Sequence, residues 1–537
     1  MSLVNVKYSS ILPDGKTGNY GAKEKIQFTI PPRYAHIDGR QSYLRVEVDA
    51  TCSQSGADAG LNFPCCYPRH VGGNVLFSRV GFKDIPRGLQ IEDVDAYNSY
   101  VGIMKSYSND TDMYGPQDMT ERVGSHTNKP CNRTSQNPAL YYFNDMPEID
   151  AGESLIGGNS AITGTCVLPI YLGMWSRMGE DDHEVLPNLE IGGTQLELYT
   201  EMNDVVLSSI SHGFHVLQNG AIVENNLELT DNVHCTSTNT SEVVIVRSNV
   251  CNLSISGTTV RECGYRVGMR VDASQDAAHT VPLTGDAVVT ITKIQEVGNF
   301  LHITLSEAAT NTGDCFLRCI PFSFSYNIRS IELRILETQA SDPQMLRQKL
   351  MKGINYKTTS LEKISQASGL LNAVIDLPAV NERALSVYVA PCVQSSLNVS
   401  GPSNSRLNPQ IPVTQKPSYI WSIKNILIPN REIQVSKNVN EASDTTLYYK
   451  QIEMAMRPQF TTRSLNDCAE DPVGQEMDQP FFYPLLLAPK GSSYRLIDSE
   501  PQLRIVSEVA PDAQLYYAFT NHVRTLKAED NQNVVML

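Results

Sequence analysis

Hydrophobic and polar positions alternate in short runs along most of this chain, and polar stretches rich in glycine and proline separate the runs. The segment 330–335 is the clearest example, because its apolar residues are Ile331, Leu333 and Ile335. A period of two places such residues on one face of a half-buried strand. The chain is therefore predicted to consist mainly of strands with one buried face.

A short helix is predicted near the middle of the chain. Asp342 and Pro343 supply an N-cap and a first-turn proline, and Gly353 supplies a stop. Between them, Leu346 and Leu350 fall on one helical face. Because the strand pattern resumes after Gly353, the helix is expected to join two long β-rich halves.

The first half is predicted to be mostly strands and loops. Its strands span residues 26–30, 43–49, 75–82, 166–172 and 194–200, and helical spacing of apolar residues predicts a helix over 93–106. The polar residues 1–25 are predicted to form an arm, and the Gly-, Pro- and Asn-rich residues 109–138 a long loop.

Residues 212–319 differ in residue composition from the rest of the first half. Thr, Ser, Asn and Val dominate, and short strands are predicted at 243–246, 288–294 and 300–305, the last two joined as a hairpin. This segment is interpreted as a small β domain inserted into the first half. The strand at 331–335 is accordingly expected to belong with the strand at 194–200 across the insertion.

The second half repeats the element order of the first. A strand at 373–377 ends at a proline as the strand at 26–30 does, and the alternation at 385–389 matches that at 44–48. Further strands are predicted at 419–428, 481–489, 502–506 and 514–519. Residue identity between the halves is negligible, so the repeat is one of element order only. About eight short strands with long polar loops in each half predict two tandem jelly-roll sandwiches.

Composition narrows the class of protein. The 537 residues are 41% hydrophobic and 19% charged, and the formal net charge is −15. These values indicate a folded chain and disfavour one that wraps duplex nucleic acid, which requires a basic surface. No apolar run approaches the roughly 18 residues of a membrane span, and the first residues do not resemble a secretory signal.

No catalytic, cofactor-binding or metal-binding residue is predicted. His212 and His215 lack a third ligand at a suitable spacing and are expected to lie in a surface loop. Gly192 and Gly193 are followed by a strand pattern, so they predict a tight bend instead of a phosphate-binding loop. The twelve cysteines form no CxxC pair, and most are expected to be buried, reduced thiols.

The chain resembles the double jelly-roll major capsid proteins of virophages, polinton-like viruses and their larger relatives. The resemblance is one of pattern and order and covers nearly the whole chain except about 212–319. It is carried by Lys25 to Pro32, Tyr43 to Val46, Ile91 to Asn98, Leu186-Pro187, Gly192 to Leu198, Tyr326 to Leu333 and the chain from Tyr356 onward. None of these motifs is catalytic.

This resemblance implies a structural role in a virion that assembles inside an infected cell. Three subunits would form a pseudo-hexagonal homotrimeric capsomer that tiles an icosahedral shell. The expected partners are further copies of the chain, neighbouring capsomers, penton and minor capsid proteins, and an inner membrane at the base; sequence-specific nucleic acid binding is not expected. Insertions would form outward-facing towers.

The expected division of the chain follows from the pattern and the resemblance together. It comprises an arm (1–25), a first jelly roll (26–211 with 320–340), an inserted outer domain (212–319), a linker helix (341–355) and a second jelly roll (356–537).

The alternative is a secreted or surface multidomain β-sandwich protein that binds or hydrolyses carbohydrate. A glycosidase needs two spaced carboxylates, but the acidic run Glu180-Asp181-Asp182 is adjacent in sequence and is expected to be a solvated loop. No GxSxG motif that would position a catalytic serine occurs.

Overall fold

The structure is a computed structural model of the chain. It describes residues 3–58, 61–63, 65–68, 71–108, 121, 162–176, 185–209, 212–218, 221–227, 230, 232–237, 242–246, 265–297, 300–340, 343–377, 383–400, 404–411, 415–436, 444–456, 480–488, 492–497, 499–529 and 533–536.

Strands dominate the described residues. In the first half they are β1 (Leu3–Ile11), β2 (Lys25–Ile30), β3 (His36–Gln54), β4 (Cys65–Cys66), β5 (Phe77–Asp84), β6 (Gln90–Asp95), β7 (Ile162–Pro169), β8 (Thr194–Thr200) and β9 (Ser208–Ser209). The next strands are β10 (His212–Gln218), β11 (Ala221–Leu227), β12 (Val233–Ser237), β13 (Glu242–Val246), β14 (Arg270–Ser274), β15 (Val288–Val297), β16 (Phe300–Leu305), β17 (Gly313–Cys319) and β18 (Phe322–Ala340). The second half contributes β19 (Ile354–Gln366), β20 (Asn372–Asp376), β21 (Ala384–Val393), β22 (Ser418–Ile423), β23 (Ile426–Gln434), β24 (Tyr483–Leu486), β25 (Gln502–Val506), β26 (Gln514–Glu529) and β27 (Asn533–Met536).

Helices are short and few among these residues. The α-helices are α1 (Tyr97–Ser108), α2 (Gly173–Ser176), α3 (Asn188–Ile191), α4 (Asn203–Val206), α5 (Pro343–Lys352) and α6 (Thr445–Met456), with 3₁₀ turns at Gly72–Leu76 and Gln394–Ser396. Helix α5 is the predicted central helix. Leu346 and Leu350 are its buried residues, and Gly353 follows it with a φ of 104°, the left-handed geometry that ends a helix.

Two antiparallel sheets, with strand orders β1-β18-β3-β7 and β2-β8-β5-β6, form the first sandwich. Alternation explains their packing: Ile26, Phe28 and Ile30 of β2 are all fully buried. Residues 3–11, expected to belong to an arm, instead form the edge strand β1, paired with β18 from Leu3↔Ala340 to Ile11↔Leu333. Strand β18, which contains 331–335, and strand β8, which spans 194–200, both belong to this sandwich, although they lie in opposite sheets.

The second sandwich has the same topology as the first. Its sheets have the orders β19-β26-β21-β24 and β20-β25-β22-β23, and β27 adds to β26. If the eight main strands of each sandwich are numbered along the chain, the two sheets read 1-8-3-6 and 2-7-4-5 in both halves. This is the jelly-roll arrangement, so the predicted fold class is confirmed. Each sandwich also carries a 12-residue helix between its fifth and sixth strands, α1 and α6.

Several boundaries differ from the predictions. The predicted helix over 93–106 begins only at Tyr97, because Gln90–Asp95 pairs with β5 as β6. The apolar run 419–428 is a hairpin, because Lys424 and Asn425 at its centre take positive φ values of 49° and 65°, the geometry of a tight two-residue turn. The segment that forms α6 had not been predicted to be helical.

Residues between β9 and β18 form sheets of their own. Strands β10 and β11 pair as a hairpin, and a closed barrel follows with the order β12-β13-β16-β15-β14-β17. Gln54 at the end of β3 fixes the barrel: its Nε2 donates to the carbonyls of Arg270 (3.1 Å) and Ile320 (2.7 Å), and its Oε1 accepts from the Arg270 N–H at 2.8 Å.

Strand β18 runs from one end of the molecule to the other. Its first residue, Phe322, pairs with Gln54 beside the barrel, and its last, Ala340, precedes α5. Nineteen residues of strand span about 60 Å. Strand β19 starts at α5 and runs back toward the barrel, so both sandwiches stand along the same axis. We call the two ends the barrel end and the helix end.

Candidate functional site: the junction between the two sandwiches

Helix α1 lies between the two sandwiches and is buried on all sides. Every residue from Tyr97 to Tyr107 is buried, although a surface helix normally exposes a polar face. The helix begins after β6 of the first sandwich and covers the outer face of the sheet β19-β26-β21-β24 of the second. Consistent with this cover, the central strand β21 is buried along nine of its ten residues.

Aromatic side chains join α1 to the second sandwich. The rings of Tyr100 and Phe519 lie 5.6 Å apart, and those of Tyr107 and Phe482 meet edge to face at 5.2 Å. The Tyr107 hydroxyl also donates to the Pro480 carbonyl at 2.8 Å. Such pairs contribute about 0.5–1.5 kcal/mol each beyond the area that they bury.

Lys105 is the one charged residue of α1, and it is paired inside the protein. Its ammonium contacts the Glu121 carboxylate, and both side chains are 3% exposed. Asn74 and the Tyr171 hydroxyl also donate to Glu121, each at 3.1 Å. Removing either partner would leave a buried charge uncompensated, which typically costs 3–5 kcal/mol.

Glu92 of β6 bridges the sandwiches directly. Its carboxylate accepts hydrogen bonds from the backbone N–H groups of Gly173 (2.8 Å) and Met174 (3.0 Å) in α2, and from the Thr358 hydroxyl of β19 (2.8 Å). Burial raises the pKa of Glu92, and the two N–H donors and the Thr358 hydroxyl oppose that rise. One buried carboxylate therefore holds elements of both halves.

Two further contacts lie along the junction on either side of Glu92. The Tyr356 hydroxyl donates to the Ile91 carbonyl at 2.6 Å toward the helix end, and Lys363 pairs with Asp95 at 2.9 Å toward the barrel end. Strands β6 and β19 therefore run side by side in the same direction.

A second buried carboxylate closes the other side of the junction. Glu201 accepts hydrogen bonds from Arg406 of the second half at 2.6 Å and from Asn98 of α1 at 2.9 Å. The Arg406 and Glu201 side chains are 10% and 5% exposed. Charge-assisted hydrogen bonds of this kind are about twice as strong as neutral ones.

The junction joins different edges of the two sandwiches. The first sandwich contributes the edge of its fifth strand, β6, and the second contributes the edge of its first strand, β19. The packing is therefore head to tail, and it leaves free the opposite edges, β1 in the first sandwich and β23 in the second.

Both free edges expose apolar side chains. On and beside β1, Val6, Tyr8 and Leu12 are 50–57% exposed; on β23, Ile426 and Leu427 are 66% and 51% exposed. Contiguous exposed apolar groups typically mark contact surfaces.

The residues considered in the sequence as candidate ligands do not form a site. His212 and His215 belong to strand β10 and not to a loop. Gly192 and Gly193 have φ values of 88° and 97° between α3 and β8, a tight bend as predicted. The acidic run 180–182 lies outside the described residues. Among the residues that are described, no group of three or more His, Cys, Asp or Glu side chains could hold a metal ion, and no helix is long and apolar enough to cross a membrane.

Two jelly-roll sandwiches in one chain, joined head to tail and carrying a barrel at one end, define a tandem jelly-roll protein. No protein-family model matches the chain, and no curated protein matches it. Solved structures do match. The Sputnik virophage structure is 10% identical, covers 99% of this chain and 88% of that chain, and has a TM-score of 0.46.

Two other virus structures are similar. The Faustovirus major capsid protein is 10% identical with coverages of 98% and 90% and a TM-score of 0.45. The PBCV-1 virus capsid is 8% identical with coverages of 99% and 96% and a TM-score of 0.44. All three similar structures come from viruses.

Proposed function

We propose that the protein is a major capsid protein whose three copies form a ring of six jelly rolls. The head-to-tail junction carries this proposal. Within one chain, the fifth-strand edge of one sandwich packs on the first-strand edge of the next. Each chain then presents one free edge of each kind, β23 at one side and β1 at the other. An interface between two unlike edges can repeat from one chain to the next. It forms a closed ring when the rotations between successive chains add up to a full turn.

A ring of three chains places six similar sandwiches around one axis, with the barrel ends on one face. The exposed apolar residues of β1 and β23 are then buried between neighbouring chains. Such an obligate interface should bury well over about 800 Å² per partner. The six-sided outline lets the rings tile a shell without gaps, which is what a capsid requires.

The two ends have different roles in this assembly. The barrel, with the hairpin β10–β11, is the outer tower, and residues 212–319 are proposed to be a separate domain. The helix end faces inward. There α5 carries three basic and no acidic residues and exposes Met345 and Met351, a combination that suits an anionic inner membrane. This role needs no catalytic, cofactor-binding or metal-binding residue.

Light scattering of the purified protein tests the assembly. The expected particle has three times the 59.4 kDa mass of the chain. The double variant Ile426→Glu and Leu427→Glu should give folded monomers, because it places charges in the proposed interface. Val281→Glu, at a 46% exposed barrel position, is the matched control and should remain trimeric.

A deletion separates the tower from the ring. Replacing residues 213–318 with a short Gly/Ser linker should preserve the trimer and remove its protrusion in negative-stain images, because closing a loop costs little entropy. Loss of trimers from this variant would contradict the domain division. A wild-type protein that stays monomeric at micromolar concentration would contradict the capsid role and favour the carbohydrate-binding alternative.

A further inference from the structure

Two cysteines face each other where the barrel closes. Cys235 lies on β12, the first strand of the barrel, and Cys315 on β17, the last. The two residues are direct partners in the antiparallel register of these strands. The chain enters the barrel on one of these strands and leaves it on the other, so their pairing is the seam of the barrel.

The positions satisfy the geometric requirement of a disulfide. Directly opposed residues in antiparallel strands have Cα atoms about 4.5–5.5 Å apart, within the usual disulfide range of about 4.4–6.8 Å. Cys235 and Cys315 are 1% and 0% exposed, and the Cys235 thiol donates a hydrogen bond to Cys315 Sγ. The two thiols therefore already interact across the seam in their reduced form.

This pairing is specific among the described cysteines. The cross-strand partners of Cys52, Cys65, Cys166, Cys319 and Cys392 are Phe324, Ser209, Val46, Val271 and Leu515, respectively. Cys319 lies on the same strand as Cys315 and is equally buried, but it faces a valine. It therefore provides a matched control within the barrel.

We propose that Cys235 and Cys315 are an oxidative modification site at which an intramolecular disulfide locks the barrel seam. The oxidant is a small disulfide such as glutathione disulfide. One cysteine thiolate attacks it and expels a glutathione thiolate, forming a mixed disulfide. The second cysteine thiolate then attacks the protein sulfur of that bond and expels the second glutathione thiolate. Two protein thiols lose two protons and two electrons, and one glutathione disulfide becomes two glutathione molecules.

Access and acidity make this reaction slow in the closed barrel. Burial raises the pKa of the Cys235 thiol, so the reactive thiolate is scarce at neutral pH. Among the described residues, strand β12 pairs with β13 only through Thr236 and Ser237. Strand β12 is therefore held weakly on the side away from the seam and can detach there, which exposes Cys235. The disulfide should therefore form after the protein leaves a reducing compartment, and faster at higher pH.

The cross-link would close a loop of about 80 residues between the first and last strands of the barrel. Disulfides that close long loops restrict the unfolded chain most. The melting temperature of the barrel should rise by about 10 °C or more, while that of the sandwiches should stay the same.

The test uses the full chain purified under reductant. After transfer to glutathione disulfide at about pH 8, the protein should lose about 2 Da, and thiol titration in denaturant should fall from twelve to ten. Peptide mapping should link Cys235 to Cys315. Cys319→Ala should behave like the wild type, whereas Cys235→Ala and Cys315→Ala should keep all their remaining thiols.

Peptide mapping of the wild type is decisive even where a cysteine variant folds poorly. Twelve free thiols after prolonged incubation would overturn the proposal. A cross-link between other cysteines, or glutathione adducts without the Cys235–Cys315 bond, would overturn it as well. A faster reaction at higher pH together with the expected cross-link would support it.

Discussion

At Gly173 the backbones of the two sandwiches lie in close contact, so substituting this residue perturbs the junction. A Cβ atom added there would lie 1.5 Å from the carbonyl oxygen of Lys357 on β19 and 2.6 Å from its carbonyl carbon. Gly173 does not have a positive φ, so alanine is compatible with its backbone conformation. Gly173→Ala is therefore predicted to act only by forcing α2 and β19 apart.

The size of the effect follows from the bonds that this movement would break. A carbon–oxygen contact needs about 3.3 Å, so the two backbones must separate by roughly 1.8 Å. At that displacement Glu92 cannot keep both its bond from the Gly173 N–H and its bond from the Thr358 hydroxyl, each 2.8 Å long. Hydrogen bonds to charged groups contribute about 1.5–3 kcal/mol each. Losing one of these two bonds should destabilise the junction by roughly 1.5–3 kcal/mol in Gly173→Ala.

Guanidinium unfolding followed by tryptophan fluorescence can measure this loss. The chain has two tryptophans: Trp175 reports on the first sandwich and Trp421 on the second, and both are buried. The measurement uses two versions of Gly173→Ala, each of which keeps one of the two tryptophans. Their unfolding transitions should no longer coincide, and one of them should occur at a lower denaturant concentration than the other.

Gly21→Ala is the control for Gly173→Ala. At this position the nearest atom to an added Cβ is 3.9 Å away, and unfolding should not change. An unfolding midpoint for Gly173→Ala equal to that of the control would refute the reasoning about the junction.

Two further predictions concern acidity and the helix end. Burial lowers the pKa of His522 from 6.5 to about 4, so the folded protein holds this histidine neutral. The protein therefore loses stability as the pH falls from 6.5 through 4, because the unfolded chain binds the proton first. His522→Gln should remove up to about 3 kcal/mol of this pH-dependent loss, measured by unfolding titrations at several pH values. If the variant had the same pH dependence of stability as the wild type, this role of His522 would be refuted. Arg347→Glu with Lys352→Glu should abolish flotation with phosphatidylglycerol vesicles, and equal flotation of wild type and variant would contradict an inward-facing basic surface.

Alternation predicted most strands because burial on one face leaves a local signal. The correspondence of 26–30 with 373–377, and of 44–48 with 385–389, proved to be that of second and third strands in the two jelly rolls. These strands lie in sandwiches whose inner faces must be apolar, so residue type alone marks them. Element order could therefore be predicted without any residue identity between the halves.

The errors arose where the partner of a segment is distant in sequence. Strand β1 is an edge strand with exposed Val6 and Tyr8, and only its pairing with β18, more than 300 residues away, defines it as a strand. The sequence also did not reveal that 331–335 and 194–200 lie in opposite sheets of one sandwich, because alternation indicates a buried face but not which of two facing sheets supplies it.

The junction could not be predicted, because its central residues are polar. The types of Glu92, Lys105 and Glu201 predict solvent-exposed positions, yet all three residues are buried. Their burial depends on partners in other elements, Thr358 and Arg406 among them. The sequence did predict a helix over 93–106 at this place, but it did not reveal that the helix is buried on all sides.

The polar character of this junction suits the ring that we propose. An apolar surface alone would let two sandwiches slide along each other at little cost, since burial of area has no direction. The bonds of Tyr356, Thr358 and Lys363 to successive positions of β6 are satisfied together in only one register. Fixing that register fixes the rotation between consecutive sandwiches, and a ring of six closes only if the rotation within each chain matches the rotation between chains. In the ring that we propose, these polar bonds therefore set the geometry of assembly, while the exposed apolar edges supply its driving force.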